Sequence, residues 1–221
     1  MNIYRTGAAL LLALGLGGCD PLSRASVDDL VTAIKPAPAL QLSPSQIASV
    51  PYAQLKLTTP SGEGVLALVR QRGDLQFWVA SGKQVLMLRD GLVVRSVGLG
   101  VGEDLDGTQL APGSPFKQGL HQVADGYQSE RLIDLYHGYR VGVPVHSRFS
   151  RGGLQTLRIL DKDYAVLRLD EQIDAPAIGL QATNHYWVDP QTGAVLQSEQ
   201  HLTPTLTVTI VQLAAAREPL L

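Results

Sequence analysis

The stretch LQFWVASGKQVLMLRDGLVVRSVGL, residues 75–99, is the most informative part of the chain about its fold. It contains three short apolar runs rich in Val and Leu, separated by turn residues. Asp90-Gly91 stands between the second and third runs, and this dipeptide supplies the positive φ angles of a tight type I′ turn. Phe77 and Trp78 face opposite sides of their strand, so at least one of them is expected in the core. The stretch therefore predicts two consecutive β-hairpins.

Runs of the same kind lie on both sides of this stretch, with compact turns such as SRGG, DKD and DPQTG between them. Few helical patterns intervene, which favours strands that pair with their neighbours along the chain. We therefore predict a mainly β protein, a single antiparallel meander curled into a half-barrel, barrel or sandwich, over residues 50–214. The strand-like runs are GVLALVRQ, RLIDLYHGYRVGVPVHSRF, LQTLRIL, YAVLRLD, HYWVD, AVLQSEQHL and TLTVTIVQL.

Short helices are predicted on the N-terminal side of the sheet. Ser26 is a candidate N-cap for the helix VDDLVTAIK, which Pro36 ends. Ser43 repeats the pattern, with Pro44 at the first helical position. The predicted organisation is a signal peptide (1–18), a lipidated tether with short helices (19–49), the β domain (50–214) and a C-terminal tail (215–221).

The only cysteine of the chain, Cys19, ends an apolar run in ALLLALGLGGCDPLS, residues 9–23. Arg5 precedes this run, which is the layout of a secretory signal peptide, and the run is too short to span a bilayer. Leu16-Gly17-Gly18-Cys19 looks like a bacterial lipobox, so Cys19 is expected to carry a lipid. An ordinary signal peptide or a buried helix with an incidental cysteine is the alternative. Lipoproteins of enteric bacteria that have aspartate directly after the lipidated cysteine tend to stay in the inner membrane, so Asp20 leaves the inner membrane open as the location.

Composition limits the classes of function. The chain is 45% hydrophobic and 17% charged, which is typical of a globular protein. Its formal net charge is −2, and loss of the positive charge of Arg5 with the signal peptide makes it −3. This balance, without a basic stripe, predicts no nucleic-acid partner. The five histidines show no metal-ligand spacing and no catalytic motif is present, so no metal, cofactor or catalytic residue is predicted.

Residues 98–107, GLGVGEDLDG, superficially resemble a phosphate-binding or calcium-binding loop. Glu103 occupies the position where a phosphate loop needs its last glycine, and the oxygen ligands of a calcium loop are incomplete. The segment is therefore predicted to be a flexible acidic connector.

The hairpin NHYWVDPQTGAVLQSEQHL, residues 184–202, contains the candidate binding residues. Strand alternation places Tyr186 and Val188 on one face and His185 and Trp187 on the other. The polar run QSEQH follows the turn. One interpretation is a groove in which Trp187 is a flat platform and His185, Glu199 and Gln200 bind a polar ligand such as a sugar. The other is a solvated edge hairpin. Trp78 is a further candidate, although the core is its expected place.

The chain resembles the YjbF/GfcB family of capsule and exopolysaccharide lipoproteins. The resemblance covers about residues 43–210, after the lipobox. It is carried in chain order by IASVPYAQLKL, the stretch 75–99, GEDL, VLRLDEQI and the hairpin 184–202. It implies a mostly antiparallel β fold, akin to lipoprotein-carrier half-barrels, and an accessory role beside periplasmic and outer-membrane components of polysaccharide export. No catalytic residues carry over from the family. Residues 126–150 contain fewer tryptophans than the family resemblance leads us to expect.

Three functions follow as hypotheses. The first is a lipid-anchored periplasmic protein that assists capsule or exopolysaccharide export by binding export-apparatus proteins or the polymer, at the outer membrane according to the resemblance. The second is a carrier of amphiphilic ligands, in which the helices of residues 26–50 close a curled sheet. The third and least favoured is a glycan-active enzyme, for which Asp170, Glu171 and Glu199 are the candidate acids.

Overall fold

The computed structural model describes residues 40–99 and 104–215; the predicted signal peptide, Cys19, the helix after Ser26 and residues 216–221 lie outside these ranges. Two short α-helices, three 3₁₀ turns and twelve β-strands occur in the described part of the chain. The helices are α1 (Pro44–Ala48) and α2 (Pro115–Gln118), and the 3₁₀ turns are Leu120–Gln122, His137–Tyr139 and Pro176–Ile178. The strands are β1 (Gln54–Thr59), β2 (Gly62–Arg72), β3 (Leu75–Val79), β4 (Val85–Arg89), β5 (Leu92–Val97), β6 (Leu105–Leu110), β7 (Gln128–Leu135), β8 (Arg140–Ile159), β9 (Lys162–Ala175), β10 (Leu180–Val188), β11 (Val195–His201) and β12 (Thr207–Ala214).

The strands form one antiparallel sheet in the order β5-β4-β3-β2-β1-β12-β11-β10-β9-β8-β7-β6. This sheet curls into a nearly closed barrel, which confirms the predicted mainly β meander. Helix α1 begins as predicted, because Ser43 accepts the Gln46 N–H and Pro44 opens the helix. None of the described helices has the length and apolar character needed to cross a bilayer.

The predicted turn at Asp90-Gly91 joins β4 to β5. Both residues have the expected positive φ, +50° for Asp90 and +82° for Gly91. Gly91 also packs directly on β11, because a Cβ atom at this position would lie 2.3 Å from Cγ2 of Val195. Glycine is therefore needed here for the backbone conformation and for the close approach of the turn to β11.

The two edge strands, β5 and β6, are joined by side-chain hydrogen bonds rather than by a strand ladder. Asp104 accepts from Ser96 Oγ at 2.9 Å, from the Gly98 N–H at 2.6 Å and from the Leu99 N–H at 3.1 Å. Ser96 Oγ accepts in turn from the Leu105 N–H at 3.0 Å. The acidic segment predicted to be a flexible connector thus supplies, at Asp104, the contact that brings the two edges together.

The inner face of the barrel has three layers along the strands. One hydrophobic cluster contains Leu57, Ile133, Val145 and Ile173, and the other contains Phe149, Leu169 and Tyr186. Between them lies a buried polar layer of Arg131, Ser147, Glu171, Asn184, Ser198 and Gln200. The layers follow from alternation, because Leu167, Leu169, Glu171 and Ile173 share one face of β9.

Glu171 is the centre of this polar layer. It forms an ion pair with Arg131 and accepts hydrogen bonds from Ser147 Oγ at 2.6 Å, Asn184 Nδ2 at 2.9 Å and the Tyr186 hydroxyl at 3.0 Å. Burial raises the pKa of Glu171, but the Arg131 charge and these hydrogen bonds outweigh burial and hold the pKa below its ordinary value. Glu171 is therefore a charged, fully paired group inside the barrel.

The barrel has two ends, which we name by their main features. The tyrosine end carries the turns after β1, β3, β7, β9 and β11, including exposed Tyr136 and Tyr139. The groove end carries the turns after β2, β4, β8 and β10 together with α2. The first described residue, Leu40, lies at the tyrosine end, where its N–H donates to Glu63 Oε2 at 2.8 Å.

Candidate functional site

The hairpin β10–β11 lies inside the sheet, between β9 and β12. Its alternation is as predicted, because Tyr186 and Val188 are fully buried whereas His185 and Trp187 are partly exposed on the outer face. The prediction that this hairpin could be a solvated edge is wrong, since both of its strands have hydrogen-bonded neighbours. Its polar residues therefore need another explanation than protection of a sheet edge.

Trp187 is surrounded by polar groups on that outer face. Its indole Nε1–H donates to Gln155 Oε1 at 3.1 Å, and Arg168 Cζ lies 5.8 Å from the ring centroid. The His185 ring lies 6.1 Å from the indole, centroid to centroid, at an angle of 57°. The guanidinium of Arg168 is close enough for a cation–π interaction, which orients the indole. The indole of Trp187 is therefore held in one orientation and is surrounded by polar side chains.

Asp170 bonds to the two neighbours of Trp187, Arg168 and His185. Its Oδ1 accepts from Arg168 Nε at 2.8 Å and lies 2.7 Å from His185 Nδ1. His185 Nδ1 also lies 3.1 Å from Arg168 Nη2, so the carboxylate, the guanidinium and the imidazole form one polar cluster. Burial raises the pKa of Asp170, but hydrogen bonds from Arg168 and His185 outweigh burial and lower the pKa below its ordinary value.

The polar character continues along β9 and β10. Cross-strand neighbours on the outer face include Gln172 beside Thr183 and Asp174 beside Gln181. A concave region of about 580 Å³ lies over this part of the sheet and is bordered by His146 and Arg148 of β8. We call the surface of Arg168, Asp170, Gln172, Asp174, Gln181, Thr183, His185 and Trp187 the outer polar face. It runs about 20 Å along the strands, at about 3.3 Å per residue.

The five candidate binding residues do not lie on one surface. Trp187, His185 and Glu199 share the outer face, since Glu199 is the cross-strand neighbour of His185. Gln200 is buried on the inner face, where its side chain bonds to the Val93 N–H at 2.9 Å, Gly91 O at 2.9 Å and Ser198 Oγ at 2.8 Å. The predicted grouping of Gln200 with Trp187 in one groove is therefore corrected.

Trp78 lies in the core, as the sequence led us to expect, and only 1% of its surface is exposed. Its Nε1–H donates to Gln76 Oε1 at 3.2 Å. Trp78 belongs to the inner face of β3, whereas Trp187 lies on the outer face of β10. The two tryptophans therefore do not form a common binding site.

The three candidate acids are also divided between the two faces. Asp170 and Glu199 lie on the outer face, on either side of His185, whereas Glu171, the neighbour of Asp170 in sequence, is fully buried in the polar layer. A glycosidase acid needs a raised pKa and a place in the cleft opposite a second carboxylate. Asp170 and Glu171 both have lowered pKa values and point to opposite sides of the sheet.

A second concave region lies at the groove end and measures about 890 Å³. Its lining mixes apolar side chains such as Val195 and Leu196 with polar ones such as Asp74, Asp90 and Lys117. Burial, together with the nearby Asp74 charge, raises the pKa of Asp90. Such a region fits an amphiphilic molecule better than a fully polar one.

A metal site is not apparent in residues 40–99 and 104–215, where no three His, Cys, Asp or Glu side chains gather as ligands. A smaller space of about 20 Å³ adjoins the polar layer, lined in part by Thr108, Arg131 and Gln200. That volume is roughly the room of one water molecule, so side chains fill the barrel at this level.

Sequence reasoning did not identify Arg168 and Glu171 as organising residues. The signal for Glu171 is its position in VLRLDEQI, in phase with Leu167, Leu169 and Ile173 on an inward face. The signal for Arg168 is the opposite phase, which it shares with Asp170. Strand alternation alone therefore predicts that Asp170 and Glu171 lie on opposite faces of the sheet.

Known proteins resemble this chain along most of its length. A family model described as "Group 4 capsule polysaccharide lipoprotein gfcB, YjbF" matches residues 27–213. The uncharacterized lipoprotein GfcB of Escherichia coli K12 is 24% identical over 194 residues, covering 87% of this chain and 89% of that protein. The uncharacterized lipoprotein YjbF of the same organism is 25% identical over 197 residues, covering 88% and 90%.

A solved structure has the same fold. The crystal structure of the hypothetical lipoprotein YmcC from Escherichia coli K12 superposes with a TM-score of 0.70 at 23% sequence identity. The match covers 89% of this chain and 96% of the YmcC chain. The nearly closed antiparallel barrel is thus shared with a solved protein.

Proposed function

This chain belongs to the family of group 4 capsule polysaccharide lipoproteins that includes GfcB and YjbF, and from that membership we propose that it assists capsule or exopolysaccharide export by binding rather than by catalysis. Cys19 carries the lipid anchor in this proposal. The protein faces the periplasm, and its partners are the polymer and export-apparatus proteins of the periplasm or outer membrane. The family resemblance favours the outer of the two envelope membranes, whereas Asp20 favours the inner one.

One observation carries the binding role: Trp187 is presented in the middle of the sheet on an otherwise polar surface. A tryptophan at an ordinary exposed position has no reason to be held by Arg168 and Gln155. Sugars offer an apolar ring face to an indole and hydroxyl groups to neighbouring polar side chains, which is the combination that the outer polar face presents.

The charges of the outer polar face support an uncharged or weakly charged ligand. Asp170 is already neutralised by Arg168 at 2.8 Å, and the adjoining strand β8 places His146 beside Asp174 and Arg148 beside Gln172. A surface with balanced charge gives little attraction to a strongly anionic polymer. Sugar hydroxyls, which both donate and accept hydrogen bonds, are suited to the amide, carboxylate and imidazole groups on this face.

Binding is favoured over catalysis by the state of the acids. The lowered pKa of Asp170 keeps it ionised at neutral pH, so it is a poor proton donor to a leaving group. Glu171 is held inside the barrel by four side chains. Neither group has the environment of a glycosidase acid.

The test is a calorimetric titration of the chain from Asp20 onward with purified exopolysaccharide fragments from the same organism. We expect binding that weakens by about 5- to 150-fold in Trp187→Ala, since loss of a central aromatic contact costs roughly 1–3 kcal/mol. Tyr139→Ala is the matched control, because it removes an exposed ring at the tyrosine end. Equal affinity of the two variants would contradict the assignment of the site, and no binding by the unaltered chain would contradict the polymer as ligand.

A second candidate function, carriage of an amphiphilic ligand, is supported by the region of about 890 Å³ at the groove end. Its mixed apolar and polar lining suits the two parts of such a ligand. Native mass spectrometry of the purified chain would detect a retained lipid or lipid-linked sugar. Protein that is empty in every preparation argues against this function.

A further inference from the structure

Three large side chains are exposed together at the tyrosine end of the barrel. The exposed fractions are 61% for Tyr136, 85% for Tyr139 and 79% for Val141. The two tyrosine rings lie 6.1 Å apart, centroid to centroid, so they form one surface. Adjacent exposed apolar groups of this size commonly mark a surface that contacts another molecule.

The backbone around these residues is held in place. Gly138 and Tyr139 both have positive φ, +71° and +49°, and positive φ is uncommon for tyrosine. Asp134 Oδ1 accepts the Gly142 N–H at 2.7 Å, and the Arg140 guanidinium donates to the Ala177 carbonyl. The turn from β7 to β8 thus presents its tyrosines from a fixed frame.

The chain enters the barrel at the same end. Leu40 is bound there by Glu63, and it follows Cys19 by 21 residues. That length can reach at most about 70 Å, which is enough to let either end of the barrel approach a membrane. A lipid at Cys19 therefore keeps the barrel near a bilayer but does not orient it, and an exposed surface is needed to choose one end.

We propose that the tyrosine end rests on the surface of the bilayer that holds the lipid anchor, with Tyr136, Tyr139 and Val141 in the interface. Tyrosine suits this place because its ring enters the apolar boundary while its hydroxyl stays hydrated. This inference rests on the lipid anchor of the proposed function, and it adds an orientation to it.

The charges at this end agree with a lipid surface. Two acidic side chains are engaged within the fold, Glu63 with Lys56 at 2.9 Å and Asp134 with the Gly142 N–H. Lys83 and Arg140 are exposed in turns of the same end, as is Asp174 at the end of β9. Exposed cations near a bilayer are attracted by anionic lipid headgroups.

The proposed orientation has a consequence for the binding surfaces. Strand β10 runs from the tyrosine end towards the groove end, so Trp187 lies about 20 Å farther from the bilayer than Leu180. The outer polar face and the groove end are then open to the periplasm. A membrane-anchored chain could contact a polymer or an export protein there without lifting from the lipid.

The experiment uses the full lipidated chain in vesicles of phosphatidylethanolamine and phosphatidylglycerol. Cys19 is the only cysteine and is occupied by lipid, so Tyr139→Cys introduces a single site for an environment-sensitive dye. Leu154→Cys is the matched control, since Leu154 is 72% exposed and lies on the half of β8 nearer the groove end. We expect lipid-borne nitroxide to quench the dye at 139 and aqueous iodide to quench the dye at 154.

A second measurement separates the tyrosines from the labelled site. The dye is placed on Ser61→Cys, an exposed position in the β1–β2 turn of the tyrosine end. We expect nitroxide quenching there to be lost when Tyr136→Ser, Tyr139→Ser and Val141→Ser are combined. Equal iodide quenching at 139 and 154, or shielding at 139 only after envelope proteins are added, would overturn the proposal, the latter in favour of a protein partner. The titration described above uses chain without lipid, so its failure is independent of this one.

Discussion

At the scale of single residues, Glu171 has the strongest influence on the interior of the barrel. Four side chains from β7, β8 and β10 converge on its carboxylate. A buried ion pair contributes little when it is compared with a well-packed apolar pair, but removal of one partner leaves the other charge buried without compensation. The polar layer is therefore sensitive to any change that leaves Arg131 alone.

We predict that Glu171→Gln lowers the free energy of unfolding by about 3–5 kcal/mol at pH 7, because the Arg131 charge stays buried without its counter-ion. Glu199→Gln is the control, since Glu199 lies on the partly exposed outer face and its change should stay within about 0.5 kcal/mol. Urea unfolding followed by tryptophan fluorescence measures both. Equal stability of the two variants would contradict the role given to Glu171.

The same group gives a pH dependence whose sign follows from its lowered pKa. A carboxyl with a lower pKa in the folded state stabilises the fold above its unfolded pKa, near 4.5, and this stabilisation is lost as the pH falls through the folded pKa. Below pH 4.5 the unaltered chain should therefore lose stability more steeply than Glu171→Gln. Parallel pH profiles for the two proteins would show that other carboxyl groups control acid unfolding.

At the scale of elements, the hairpin of β4 and β5 is joined to β11 by a turn rather than by a strand ladder. Gln200 of β11 bonds to the backbone at Gly91 and Val93, and Gly91 packs on Val195. The Asp90-Gly91 turn therefore reverses the chain and also places an edge hairpin on the opposite side of the barrel. A side chain at position 91 would disturb both functions of the turn.

We predict that Gly91→Ala destabilises the protein by about 2–4 kcal/mol, because about 1–2 kcal/mol of left-handed backbone strain adds to the contact with Val195. Gly73→Ala is the matched control. Gly73 also has positive φ, +61°, but no atom lies within 4 Å of its Cβ position. Gly73→Ala should therefore lower the stability only by the amount that the backbone strain costs. Thermal unfolding compares the two, and a Gly91→Ala cost no larger than that of Gly73→Ala would show that the contact to β11 is unimportant.

At the scale of the whole molecule, closure of the barrel depends on the seam between β5 and β6. These strands are the two edges of the sheet and are joined through Asp104 and Ser96. Exposed edge strands can pair with other chains, so a seam of this kind also protects the protein from association. Because the barrel closes, the tyrosine end and the groove end are two separate surfaces.

We predict that Asp104→Ala opens the seam, because the Gly98 and Leu99 N–H groups lose their acceptor. The expected loss is about 2–3 kcal/mol, given that a hydrogen bond to a charged group contributes about 1.5–3 kcal/mol. Hydrogen exchange should become faster in β5 and β6 before it does so in β9 and β10.

Asp106→Ala provides the control for the seam. Asp106 of β6 also bonds across the seam, to Arg95 of β5 at 2.7 Å, but 47% of each side chain is exposed, and such pairs contribute only about 0–1 kcal/mol. Its exchange pattern should match that of the unaltered chain. Uniform exchange in Asp104→Ala across all strands would indicate that the barrel opens as one unit, without a seam.

The sequence by itself determined the features that depend on neighbours along the chain. Strand alternation predicted the mainly β class, the faces of Tyr186 and Trp187, the Asp90-Gly91 turn and the cap of α1 at Ser43. These features are local, because φ, ψ and side-chain direction follow from residues within a few positions of one another. The family resemblance is likewise contained in short stretches, such as VLRLDEQI and the hairpin 184–202.

Only the tertiary structure decided which distant residues meet. Gln200 bonds to Val93, 107 positions away, and Arg131 reaches Glu171 across 40 positions. Those contacts depend on how far the sheet curls and in which register its strands pair, and these properties are sums over the whole sheet. The pairing of β12 with β1 also placed the hairpin 184–202 inside the sheet, where the sequence had left an edge position open as an alternative, and the fold buried Gln200 and brought Leu40 to the end that carries Tyr136 and Tyr139.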